Sequence, residues 1–143
     1  MYDDVLVPTD GSPAADAAVD HAVTLADRFD STIHALYVVD ATAYSALEAG
    51  ADLVSETLEG EGEDAVARIA AAADDEGLPV VEAVVSGTAY RSILEYADGE
   101  GIDVIVMGTH GRQGIDRYLL GSVTERVVRS ADQPVLTVRQ PDG

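Results

Sequence analysis

Apolar residues follow two rhythms that alternate along this chain. Short unbroken runs at Asp4–Pro8 (DVLVP), Thr32–Val39 (TIHALYVV), Pro79–Val85 (PVVEAVV), Asp103–Met107 (DVIVM) and Pro134–Val138 (PVLTV) have the length and β-branched content of buried strands. Between them the spacing turns helical. Ala15, Ala18, Val19, Ala22, Ala26 and Phe29 share one face of a helix that Ser12 caps, Pro13 opens and Asp30-Ser31 ends. A second helical pattern runs from about Asp52 to Glu76, with Leu53, Leu58, Ala65, Ile69 and Ala73 among its apolar positions. Gly60 and Gly62 interrupt it, each costing about 1 kcal/mol relative to alanine, and predict a break or a late start. Gly77-Leu78-Pro79 stops it, Thr88–Ala97 reads as a third helix, and Gly121/Ser122 to Ser130 as a fourth. Residues 40–50 read as a loop of small residues.

Strands that alternate with helices at this spacing form βαβ units with right-handed crossovers. The prediction is a single domain over residues 1–143: an open, five-stranded, all-parallel α/β sheet with helices on both faces. In such a sheet ligands sit beyond the C-terminal ends of the strands. Three stretches there carry chemistry: Pro8–Ser12 after the first strand, the turn after Val38-Val39, and Gly108–Ser122 after the fourth.

The third stretch is the most specific. The apolar run of the fourth strand ends in Gly108, a glycine-bearing polar loop follows, and Gly121-Ser122 opens a helix, so the spacing is Gly108-x2-Gly111-x9-Gly121-Ser122. A strand, a flexible loop and a helix start in that order can hold a phosphate, because free backbone N–H groups and the positive end of the helix dipole both face the anion.

Composition narrows the partners. The 143 residues include 27 acids and 8 basic residues, a net charge of −19, with no lysine and no cysteine. Absence of cysteine removes disulfides, thiolate metal sites and a cysteine nucleophile. A surface this acidic repels nucleic acid and anionic membranes. It also repels itself unless salt screens it, and at molar ionic strength the Debye length falls to about 3 Å. Simple solubility is the plain reading of this charge, and a cytoplasm of high ionic strength, as in a halophilic archaeon, is the sharper expectation. No apolar run approaches the roughly 18 residues of a membrane span, and the start MYDDVLVP has no signal-peptide pattern, so the expected setting is cytoplasmic. Residues 1–90 carry two Arg and nineteen acids, a balance of −17, whereas residues 91–143 carry six Arg and eight acids, a balance of −2. The nearly neutral portion holds the phosphate loop.

With VPTDGS at 7–12, Val38 at the end of the second strand and MGTHGRQG…LLGSVTE at 107–125, the chain resembles the universal stress protein family. The likeness is to its ATP-binding branch, whose signature G-x2-G-x9-G-[ST] is met without a gap, and it extends to the closing PVLTVR. The resemblance implies a Rossmann-like fold and a composite adenine-nucleotide site. Adenine would lie against Pro8 and the main chain at Val38. Asp10, beside Thr9, would reach the ribose hydroxyls, and Met107 and Gly108 would border the ribose. The backbone of Thr109, His110, Gly111, Arg112, Gln113 and Gly114 would wrap the phosphates, with Gly121, Ser122, Val123 and Thr124 adding N–H and hydroxyl donors. ATP or another adenine nucleotide would bring Mg²⁺ or Mn²⁺ on its phosphates. The family's use of its last strand implies a homodimer through Pro134–Val138, and an apolar edge strand points the same way.

Rival readings fare worse on the residues. A P-loop ATPase needs G-x4-G-K-[ST], and there is no lysine. A phosphoacceptor receiver needs acids at the C-terminal ends of strands, whereas Asp3 and Asp4 precede the first strand. His110 could act as a donor or a base, but no nucleophile, base and orienter are arranged around it. His21 on a helix and His34 on a strand read as structural, with no metal site. Arg112 and Arg117 could clamp phosphate or pair with surface acids such as Asp116. The expected function is a non-enzymatic, nucleotide-dependent regulatory switch. The alternatives are a stress interaction module that binds no nucleotide and, last, a slow ATP-hydrolysing enzyme.

Overall fold

The computed structural model describes residues 1–40, 51–109 and 121–139. Its elements are β1 (Asp4–Thr9), α1 (Pro13–Phe29), β2 (Thr32–Val39), α2 (Ala51–Asp75), β3 (Val80–Ser86), α3 (Ala89–Gly99), β4 (Val104–Gly108), α4 (Ser122–Ser130) and β5 (Val135–Val138). The strands form one parallel sheet in the order β3-β2-β1-β4-β5. The chain first winds outward from β1 to β3, then returns to lay β4 on the other side of β1. That reversal opens a crevice between the C-terminal ends of β1 and β4, where ligands of open α/β sheets sit.

The central strands β1, β2 and β4 are buried on both faces because helices cover both. On one side Val5, Val7, Ile33, Ala35, Tyr37, Val104 and Val106 pack against α1 and α2 through Ala18, Ala22, Ala26, Ala65, Ile69 and Ala73. On the other, Leu6, Leu36, Ile105 and Met107 pack against Ile93 and Ala97 of α3 and Val127 of α4. The alanine-rich face of α1 lets it lie close to the sheet. Phe29 departs from the helical-face expectation: it is 42% exposed, and its ring meets Tyr2 edge-on at 5.1 Å. It sits in the last turn, where the chain passes Asp30 in the left-handed region (φ 53°) and leaves the core.

The expected break in the second helix does not occur. α2 runs unbroken through both glycines, and they differ in kind. A Cβ on Gly60 would meet nothing within 4 Å, whereas one on Gly62 would lie 2.6 Å from Cδ1 of Tyr37. Gly62 is thus the point where α2 presses onto the Tyr37 ring, and tertiary packing outweighs a local propensity cost of about 1 kcal/mol. Opposite effects follow for the same substitution. Gly60→Ala should raise stability by about 0.5–1 kcal/mol, and Gly62→Ala should lower it by about 1–3 kcal/mol through overpacking. Denaturant midpoints in high salt check this, and shifts of the same sign would contradict it.

Polar side chains tie down the N-terminal edge of the sheet. The Asp103 carboxylate accepts the backbone N–H groups of Asp3 and Asp4 at 2.9 and 3.0 Å. Buried His34 places Nε2 2.9 Å from Asp4 Oδ1 and Nδ1 2.8 Å from the Tyr96 hydroxyl. Both ring nitrogens are therefore satisfied, which agrees with the structural reading of this histidine. Burial, then the charges of Glu100 and Asp4, push the Tyr96 phenol above its ordinary value.

A second tyrosine shifts the other way. Tyr90, at the start of α3, lies 4.7 Å from the Arg126 guanidinium of α4 and 5.9 Å from that of Arg91. The hydrogen bond and charge of Arg91, reinforced by Arg126, lower its pKa against a smaller effect of burial. Tyr96 contributes stability below the ordinary tyrosine value that is lost as pH rises through its raised folded value; for Tyr90 the sign is reversed. An alkaline titration of phenolate absorbance should therefore lose an early-ionising portion in Tyr90→Phe and a late one in Tyr96→Phe. The reverse order would contradict these environments.

Candidate nucleotide site at the C-terminal edge

The first wall of the crevice is the turn between β1 and α1, fixed by its own side chains. Gly11 takes a positive φ of 80° and donates its N–H to Thr9 Oγ1 at 3.0 Å. Asp10 Oδ1 accepts the Ser12 N–H at 2.9 Å, and Ser12 Oγ accepts the Ala15 N–H at 3.3 Å as the α1 cap. The division of labour is clear: Ser12 caps the helix, and the Asp10 carboxylate, two residues earlier, closes the turn onto the Ser12 N–H. From α2, the Arg68 guanidinium reaches the Gly11 carbonyl at 3.4 Å.

The second wall is the strand–loop–helix unit. The Thr109 N–H donates to the Val138 carbonyl at 2.9 Å, and the Gly121 N–H to the Thr109 carbonyl. The loop after β4 therefore leaves and returns through feet that touch. The buried Thr124 hydroxyl donates to the Gly108 carbonyl at 2.8 Å, locking the first turn of α4 onto the end of β4. The first backbone bond at this helix start runs from the Glu125 N–H to the Gly121 carbonyl at 2.9 Å. Gly121 has no side chain to cap the helix, and Ser122 is exposed. The N–H groups of Ser122, Val123 and Thr124 precede that first bond, so they are the donors a helix offers to an anion.

The structure brings Pro8, Thr9, Asp10, Val38, Met107, Gly108, Thr109, Gly121, Ser122, Val123 and Thr124 to the C-terminal edge of β1, β2 and β4. His110, Gly111, Arg112, Gln113 and Gly114, with Arg117, lie outside the described residues. The side chains of Met107, Val38 and Val123 pack into the core on the α3/α4 side, so their main chain is what they can offer a ligand. Gly108 carries a packing demand that the motif alone does not reveal. A Cβ there would lie 2.6 Å from the Ala14 carbonyl oxygen, so the first turn of α1 requires this glycine, and its φ is not positive. Sequence reasoning missed Asp40, whose Oδ2 accepts the Ala89 N–H at 3.2 Å and caps α3 beside the end of β2. The signal was an acid just past a strand, which is uninformative until β2 and α3 are known to meet there.

Helix-start N–H groups and the Ser122 hydroxyl are donors that suit a nucleotide's phosphates, whereas the Asp10 carboxylate, an acceptor, belongs to the turn after β1. Among the described residues no three His, Cys, Asp or Glu side chains stand together to hold a metal ion, and no helix is long and apolar enough to cross a membrane.

Residues 1–139 match the family model of the universal stress proteins. The chain belongs to the universal stress protein family. It is 38% identical to a universal stress protein of Methanocaldococcus jannaschii over 143 residues, covering 99% of this chain and 84% of that one. A second protein of that organism, MJ0577, superposes with a TM-score of 0.86 at 31% identity, covering 100% of this chain and 99% of that one. A universal stress protein solved in complex with cAMP superposes at 0.76 with 26% identity, covering 98% and 99%. The five-stranded parallel sheet of this universal stress protein is the fold of those neighbours.

Proposed function

We propose that this universal stress protein is an ATP-binding regulatory protein that works by occupancy rather than turnover. The observation that carries the reading is the crevice between β1 and β4: the full Gly108-x2-Gly111-x9-Gly121-Ser122 spacing ends on a helix start with no side-chain cap, at the same sheet edge as the Thr9–Ser12 turn. The family neighbour solved with cAMP supports an adenine nucleotide as the ligand class. Adenine would rest on the edge formed by Pro8 and the Val38 main chain, and the phosphates on the Ser122–Thr124 N–H groups, bringing Mg²⁺ or Mn²⁺ with them. Occupancy of the crevice changes the surface that the C-terminal edge of the sheet presents to a partner.

The protomer pairs with a second copy through β5, an edge strand whose Leu136 is 42% exposed. A working environment of molar salt accords with the charge of −19. Calorimetry in molar KCl tests the ligand. Saturable ATP binding is expected, with loss of binding in Gly121→Val, whose branched side chain would crowd the helix-start donors. Heat no larger than dilution in the wild type would favour the non-nucleotide module instead.

A further inference from the structure

We propose that Tyr90, Arg91 and Arg126 form a second anion site, on the α3/α4 face, that binds a phosphate group. The Tyr90 ring packs on the α3/α4-side core, which fixes its position. The two guanidiniums come to that ring from different helices, at 5.9 Å and 4.7 Å from its centroid. Stacking on an aromatic face satisfies an Arg side chain only in part, because its N–H donors lie at the edge of the plane and stay open to a ligand. Both Arg residues are exposed, and neither has a carboxylate within ion-pair distance among the described residues. The acid beside Arg126, Glu125, is held by Arg129 at 2.9 Å.

In a chain with 27 acids and 8 basic residues, two cations gathered on one phenol with no ion-pair partner among the described residues favour a local positive spot. The N–H donors of two guanidiniums and the Tyr90 O–H, gathered around one ring, suit a tetrahedral dianion better than a single carboxylate. The lowered pKa of Tyr90 accords with that potential and makes its O–H a stronger donor. Its three residues are none of those proposed to hold the nucleotide, and the proposal does not rest on nucleotide binding in the β1/β4 crevice.

The test follows the side-chain Nε–H signals of Arg91 and Arg126 by NMR in the full chain. Inorganic phosphate is titrated at neutral pH, with KCl adjusted to constant ionic strength. Both signals should move together and saturate, and Arg126→Gln should weaken the response at Arg91 about tenfold. A backbone amide spectrum shows that the variant is folded. Shifts that stay linear to the highest phosphate, or an unchanged curve in folded Arg126→Gln, would overturn the proposal. Methyl phosphate in a parallel titration identifies the source. Equal affinity upholds a site for phosphate esters, and about tenfold weaker binding upholds one for the free ion.

Discussion

Replacing Gly108 with alanine should cost this universal stress protein about 1–3 kcal/mol of stability, the range for overpacking a close backbone contact. At about 4 °C for each kcal/mol in a chain of this size, the loss is readable by thermal unfolding in high salt. The cause is steric: the new Cβ would stand 2.6 Å from the Ala14 oxygen and 2.8 Å from its carbonyl carbon. Backbone cannot swing aside as a flexible side chain can, so the first turn of α1 must move. That turn carries the Ser12 cap and, through it, the Thr9–Ser12 wall of the crevice. ATP affinity should fall with stability, although Gly108 has only its main chain to offer the nucleotide. A melting temperature equal to that of the wild type would refute the close-contact role and return this glycine to the ligand alone.

The second large effect separates binding from folding. Ser122→Glu places a carboxylate at the start of α4, where the phosphates are proposed to rest. Repulsion there should weaken ATP binding about tenfold or more, equivalent to about 1.4 kcal/mol. The same carboxylate is favourable for the helix, by about 0.3–1 kcal/mol with the dipole, and it stands four residues before Arg126. Thermal stability should therefore hold or rise slightly while affinity falls. Calorimetry and a melting curve on one sample check the pair of outcomes. Unchanged affinity would remove the phosphates from the α4 N-terminus.

How much of this was legible in the sequence depends on how local each cause is. The alternation of apolar runs and helical faces is a local signal, and all nine elements follow it within a residue or two at most boundaries. The Ser12-Pro13 helix start is equally local, and the structure shows the Ser12 cap directly. What was hidden rests on contacts between residues far apart in the chain. Gly60 and Gly62 look alike as helix breakers, and only the Tyr37 ring, supplied by β2, tells them apart. Phe29 fits the helical period, but period does not report that the core ends before the last turn of α1.

The candidate site shows the same divide. Its motif spacing and its placement on one sheet edge were readable, because strand–loop–helix order and topology suffice for both. The demand that α1 makes on Gly108 was not, since a glycine that a ligand needs and one that a neighbouring helix needs are the same letter. Nor was the Tyr90–Arg91–Arg126 cluster, which forms only when α3 and α4 lie side by side.

The proposed function requires an adenine nucleotide in the crevice between β1 and β4. Its most direct test is a backbone amide map by NMR, in molar KCl, as ATP and Mg²⁺ are added. Saturable shifts are expected at Thr9–Ser12, Val38–Asp40, Gly108–Thr109 and Gly121–Thr124, with Asp4, His34 and Asp103 at the opposite edge unmoved. An unchanged spectrum, or shifts confined to the α3/α4 face around Arg91 and Arg126, would contradict it.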